Sequence, residues 1–322
     1  MTGLIVESDL TMNGYSRFLT GLVAATHTPM HEDGRVNLDV IEKQAASLAA
    51  NPVTGAFICG STGESHSLTL AERRSVAQRW SEVMDRSKLK LVVHVGHNCL
   101  EDARTLAAHA QQIGAAATSA MAPCYFKPAT VDELVDFCAP IAAAAPALPF
   151  YFYDIPALTG VNLPMIEFLR KGKARIPNLA GIKFTSANLM SLQECLEVDD
   201  GGFNILFGTD EMLLAALALG VPGGVGSTYN YAAPLYAKLM AAYEEGDMVT
   251  AQALQIKSVK LVQVLVQHGV LAAGKALMSL MGVDCGPVRP PVRPLTEEQK
   301  TRLFRQVEAL GILEPGPAAR AC

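Results

Sequence analysis

Along this 322-residue chain, short runs of consecutive apolar residues alternate with longer stretches whose apolar residues recur at helical spacing. The apolar runs fall at 21–26, 55–60, 90–95, 117–122, 149–153, 180–184, 203–207 and 223–227. They are mostly continuous rather than alternating, as expected of parallel strands covered on both faces. Between them, segments such as 38–50, 71–83 and 99–113 carry the spacing of helices packed along one side. Thr69 and Glu72 make a capping-box signature at one helix start, and Gly114 stands where another helix is closed. Eight strand–helix units at intervals of about 20 to 35 residues predict a closed barrel. An open doubly wound sheet needs fewer strands and usually a glycine fingerprint after the first. Here the first strand runs into His27, Thr28, Pro29 and Met30.

The expected fold is therefore α/β, a (β/α)8 TIM barrel with a C-terminal helical extension. Its expected divisions are a loose N-terminus at 1–16, the barrel at 17–233, packed C-terminal helices at 234–313 and a loose tail at 314–322. The Pro-rich stretch 286–294 reads as an ordered connection to a last helix near 297–310.

Composition narrows the possibilities. Hydrophobic residues make up 50% of the chain and charged residues 18%, which supports a large core and argues against general disorder. A formal net charge of −5 lacks the electrostatic footprint of a nucleic-acid binder. No segment approaches the ~20 uninterrupted apolar residues that span a bilayer, so no membrane partner is expected. Residues 1–16 carry Glu7 and Asp9 and lack the basic-then-apolar pattern of a secretion signal. The seven scattered cysteines then read as reduced thiols of a cytoplasmic protein.

Barrels of this kind place their reactive groups at the C-terminal ends of strands. Those ends carry Ser61, Thr62 and Glu64, then Tyr153 and Asp154, Lys183 and Thr185, Gly208, Asp210 and Glu211, and finally Ser227. Lys183 is the most informative. Inside the apolar run 179–184 a charged ammonium loses solvation, burial favours the neutral amine, and a neutral amine attacks carbonyls. Equally open is a lysine that snorkels to the mouth or pairs with Glu64 or Asp210. Tyr153 suits proton transfer, although position alone favours a core aromatic in the row 150–153. The turn from Gly60 to Gly63 offers hydroxyls and backbone N–H groups to a carboxylate. His94 and His97 face opposite ways on a strand and, with Cys99, lack a completing carboxylate, so no metal is expected. Gly223, Gly224 and Gly226 have no flanking lysine or arginine to bind phosphate, which points to close backbone approach at the mouth.

Taken together, GSTGE at 60–64, YDIPALTG at 153–160, GIKFTS at 181–186 and GGVGSTYN at 223–230 resemble the N-acetylneuraminate lyase branch of the dihydrodipicolinate synthase family. The motifs occur in order, and the resemblance covers residues 21–293. It implies the same barrel with C-terminal helices, a homotetramer, and no metal or organic cofactor. It implies that Lys183 is the Schiff-base lysine and Tyr153 the proton-transfer residue. Tyr125 matches a tyrosine that in many members reaches a neighbouring subunit's active site, and Ser61 and Thr62 would hold the substrate carboxylate.

Thr185, Gly208, Asp210, Glu211 and Ser227 complete the implied substrate-binding set. Asp210, Glu211 and Ser227 match positions that meet the polyhydroxy tail of a sialic acid. A helix start at 208–211, with acids favouring the dipole, is the plainer reading of that stretch and is compatible with the first. Leu158 occupies the place where dihydrodipicolinate synthases typically carry an arginine for an aldehyde substrate's carboxylate, which disfavours that substrate. Asp154, Thr209 and Pro222 depart from the common pattern.

The implied reaction is reversible cleavage of N-acetylneuraminate to N-acetylmannosamine and pyruvate through an imine and an enamine, with small molecules as the only partners besides further copies of the chain. Two alternatives stand beside it: a lyase or dehydratase of another 2-keto-3-deoxy sugar acid, and a catalytically silent barrel that binds a 2-oxo or sialic acid. Retention of Lys183, Tyr153, Ser61 and Thr62 together speaks against the silent barrel.

Overall fold

A computed structural model describes residues 18–313, preceded by a short antiparallel backbone pairing of Thr11–Met12 with Tyr15–Ser16. Apart from that pairing, the loose ends expected at 1–16 and 314–322 lie outside the described residues. Eight parallel strands close into a barrel: β1 Gly21–Ala25, β2 Gly55–Ile58, β3 Lys90–His94, β4 Ala117–Met121, β5 Phe150–Asp154, β6 Leu179–Phe184, β7 Asn204–Phe207 and β8 Gly223–Gly226. Strand β8 pairs back onto β1, with Gly223 opposite Gly21. A helix follows each strand: α1 Val40–Ala49, α2 Leu70–Val83, α3 Leu100–Gln112, α4 Val131–Ala143, α5 Met165–Arg175, α6 Leu189–Glu197, α7 Leu213–Ala218 and α8 Tyr229–Glu244. Beyond them lie α9 Met248–His268, α10 Val270–Leu280 and α11 Glu297–Glu308.

The continuous apolar runs have a simple cause. Val23, Ala25, Phe57, Val92, Met121, Tyr151, Leu206 and Val225 fill the inside of the barrel. Their neighbours Leu22, Ala24, Ile58, Leu91, Val93, Phe152 and Ile205 join the outer core with the helices, where Trp80 and Phe168 are fully buried. Both faces of every strand are covered, so no polar alternation survives. The capping box at Thr69 and Glu72 forms, and Gly114 takes the left-handed backbone (φ 69) just past α3. At the closing seam a Cβ on Gly223 would stand 2.2 Å from the Gly21 carbonyl oxygen, a close backbone approach at the end of the barrel opposite the mouth.

Helix α8 starts at Tyr229, ahead of the 233/234 division, and its backbone leaves helical geometry at Ala232 (φ −124), shortly before Pro234. It is the eighth helix of the barrel, and α9 to α11 are the additional ones. One local irregularity matters more. Along β5 and β6 the register runs from Phe150 opposite Leu179 to Tyr151 opposite Gly181, leaving Ala180 as an extra residue. This bulge shifts the inward–outward alternation of β6 by one, and brings Lys183 level with inward-facing Tyr153. Gly181 is required there, because a Cβ would fall 1.8 Å from the carbonyl oxygen of Asn204.

Candidate active site

Lys183 is 5% exposed and reaches the barrel interior near its C-terminal mouth. Its Nζ lies 4.0 Å from the centre of the Tyr153 ring and 4.5 Å from that of Phe57. Ring faces attract an ammonium, yet they leave the lone pair of a neutral amine unclaimed. The pairings open from the sequence do not form: Glu64 is engaged by Lys275, and Asp210 accepts from Thr228. Among the described residues no ion pair holds Lys183.

Tyr153 is both core aromatic and candidate proton carrier. Its ring is buried, edge-on to Phe57 at 5.7 Å and to His94 at 5.9 Å. Its hydroxyl stands 3.4 Å from Ser61 Oγ. The turn holding Ser61 and Thr62 is bracketed by Cys59 (φ 56) and Glu64 (φ 59), two left-handed residues that are not glycine. Such backbone persists only where surroundings enforce it. Thr28 Oγ1 donates to the Gly63 carbonyl at 2.8 Å, and His94 Nδ1 lies 3.0 Å from that of Cys59.

His94 and Arg73 were not singled out as site residues from the sequence. Arg73 is buried and donates to the carbonyls of His94 at 2.6 Å and Gly96 at 2.9 Å. Burial first, then the Arg73 charge, holds the His94 imidazole well below the usual histidine range, so the ring packed on Tyr153 is neutral. The available signal was spacing: Arg73, Val76, Ala77 and Trp80 share the buried face of α2.

Thr185, Gly208, Glu211 and Ser227 lie half-buried around the ends of β6, β7 and β8. A Cβ on Gly208 would stand 2.0 Å from Thr185 Oγ1, so the glycine makes room for that hydroxyl. Asp210 is buried and accepts from the Thr228 backbone N–H at 3.0 Å and the Thr228 hydroxyl at 2.6 Å. Burial raises its carboxyl to about 6. Its Oδ1 has no partner among the described residues and is accommodated by Gly226. A 3-10 turn begins after Thr209 with Asp210 and Glu211 in its first turn, as the plainer reading has it, but without a side-chain cap.

Tyr125 stands apart from these groups, in the loop after β4. It is 78% exposed and packs edge-on against Phe126, itself 85% exposed. Leu158 lines a cavity of about 190 Å³ together with Ser61, His66, Met121, Leu271 and Val292. A wider groove of about 560 Å³ between α5 and α6 holds none of the candidate residues.

These groups define the class: a (β/α)8 barrel whose candidate site lies at the C-terminal mouth and centres on a buried lysine. The model of the dihydrodipicolinate synthetase family matches residues 18–310. The chain is 40% identical over 300 residues to an N-acetylneuraminate lyase of Homo sapiens, covering 92% of this chain and 93% of that one. To the N-acetylneuraminate lyase of Rattus norvegicus it is 38% identical over 303 residues, with 92% and 95% covered. Its structure is similar to that of Proteus mirabilis N-acetylneuraminate lyase, with a TM-score of 0.90 and 42% identity over 92% of this chain and 100% of that one. The chain belongs to the dihydrodipicolinate synthetase family.

Proposed function

We propose that this protein is a class I aldolase that reversibly cleaves N-acetylneuraminate to N-acetylmannosamine and pyruvate. The observation that carries the reading is a buried lysine with no ion pair among the described residues, flanked by a tyrosine whose hydroxyl reaches the Ser61–Thr62 turn. The relatives named N-acetylneuraminate lyase support the choice of substrate. So does Leu158, which supplies no charge at the mouth to hold a second carboxylate.

In this reading the neutral Lys183 amine attacks the C2 ketone and water leaves, giving a protonated imine. Ser61 and Thr62 hold the adjacent carboxylate. A base removes the C4 hydroxyl proton, and the C3–C4 bond breaks. Its electron pair moves into the C2–C3 bond of an enamine, while C4 becomes the aldehyde of N-acetylmannosamine. Protonation at C3 and hydrolysis of the imine release pyruvate and return the amine. Tyr153 carries the proton, aided by the substrate's own carboxylate. Thr185, Gly208, Asp210, Glu211 and Ser227 meet the hydroxylated tail. The reading asks for no metal or organic cofactor, and places the protein in the cytoplasm as a homotetramer in which Tyr125 reaches a neighbouring copy.

Incubation with N-acetylneuraminate and borohydride tests the reading. A pyruvate-sized adduct mapped to Lys183 is the expected result, since it requires imine formation and carbon–carbon cleavage together. An adduct from pyruvate alone would reject this substrate and keep the mechanism. An unmodified lysine in both reactions would overturn it.

A further inference from the structure

Glu64 ends the Ser61–Thr62 turn in left-handed backbone, and its side chain is 2% exposed. A carboxylate so placed needs a cation and full hydrogen bonding. The cation and one backbone hydrogen bond come from the C-terminal segment. Lys275 Nζ of α10, also 2% exposed, lies 2.7 Å from Oε1, and the Arg289 backbone N–H donates to Oε2 at 2.8 Å. Lys275 is anchored in turn by the Pro287 carbonyl at 2.7 Å. The Arg289 guanidinium is tied to the Ser67 carbonyl at 2.7 Å and to Glu72 at 2.8 Å. Thus one end of the turn is gripped by residues as far as 225 positions away in the chain.

We propose that Lys275, acting through Glu64, is a positioning residue that sets the Ser61–Thr62 turn and thereby the affinity of the site for the carboxylate of a 2-oxo acid. The inference rests on the Schiff-base reading of Lys183. The Glu64 backbone bonds to its neighbours Ser61 and Ser67, while its side chain ties this end of the turn to the C-terminal segment through the ion pair and the Arg289 N–H, so loss of the cation loosens that tie. A shift of about 1 Å is enough to spoil hydroxyl and N–H contacts to a bound carboxylate. The surroundings of Lys183, by contrast, come from Phe57 on β2 and Tyr153 on β5, which Lys275 does not touch. The ion pair therefore acts first on recognition of the carboxylate, and reaches the surroundings of the amine only through the contact of Ser61 with the Tyr153 hydroxyl.

The test compares two ketones in borohydride trapping on the full-length protein: pyruvate, and hydroxyacetone, which is of similar size and has no carboxylate. The variants are Lys275→Met, Lys275→Arg and the double variant Glu64→Gln with Lys275→Met, which leaves no unpaired buried charge if the single change fails to fold. In Lys275→Met and the double variant the half-saturating pyruvate concentration rises about tenfold or more, while the trapping rate at saturation changes less than about threefold. Hydroxyacetone shows no such rise, and Lys275→Arg recovers part of the pyruvate affinity. Unchanged half-saturation by pyruvate in the folded double variant overturns the proposal. Equal losses for both ketones overturn it as well, because they mark a structural role alone. A wild-type protein that traps neither ketone overturns the Schiff-base reading, and this inference with it.

Discussion

A lysine in an apolar strand is an expensive residue, and Lys183 is accommodated by two aromatic faces rather than by a carboxylate. Replacing it by methionine removes the nucleophile and keeps the shape. Turnover of N-acetylneuraminate is expected to fall by at least about 10⁴-fold while the melting temperature holds or rises, measured by coupled assay and calorimetry. Tyr153→Phe keeps the ring packing and loses the hydroxyl beside Ser61. It should lower the cleavage rate by about 10² to 10⁴-fold while borohydride still traps pyruvate on Lys183. Asp154, at the end of β5, has its carboxyl pushed from an ordinary 3.8 to about 7 by burial. The folded state thus favours the protonated acid. The resulting stability is fully present below pH 3.8 and is lost as pH rises through about 7. Asp154→Asn escapes that loss, so its advantage in unfolding free energy over wild type, from denaturant titrations, should be larger at pH 8 than at pH 5 by on the order of 2 kcal/mol.

At the scale of elements, the bulge in β6 and the C-terminal connection do the placing. Gly181→Ala forces a Cβ into the Asn204 carbonyl at the bulge that aims Lys183 inward. It should cost about 1 to 3 kcal/mol in denaturant unfolding and reduce pyruvate trapping along with stability. Arg289 joins the segment after α10 to the start of α2, and its hydrogen bonds hold the Glu72 carboxyl down to about 2 from an ordinary 4.5. This contribution exists above pH 4.5 and fades as pH falls toward 2. Arg289→Met is expected to lose about 1 to 2 kcal/mol near neutrality, and the gap to wild type should close on acidification.

For the whole molecule, Tyr125 and Phe126 stand exposed on one loop, and the proposed tetramer would have to cover them with a second copy. Replacing both by alanine should shift the species seen by light scattering toward smaller assemblies and depress turnover, with the Lys183 environment intact. A variant that remains tetrameric and fully active would remove Tyr125 from the proposed site. The closed barrel explains why such distant changes stay separable: Lys183 and Tyr153 are held by adjacent strands, while Tyr125 stands on a loop.

The eight strand–helix units, the capping box at Thr69, the left-handed Gly114 and the strand-end residues were all legible in the chain, because periodicity, caps and turns are written in neighbouring residues. So was the unusual lysine, since a charge inside an apolar run stands out in one dimension. Tertiary structure alone decided which way Lys183 faces, because the bulge at Ala180 arises from register between two strands. It also decided that Glu64 pairs with Lys275 rather than Lys183, and that His94, held by Arg73, packs on Tyr153. Those contacts join residues far apart in the chain, and no local pattern specifies a partner that only barrel closure brings near.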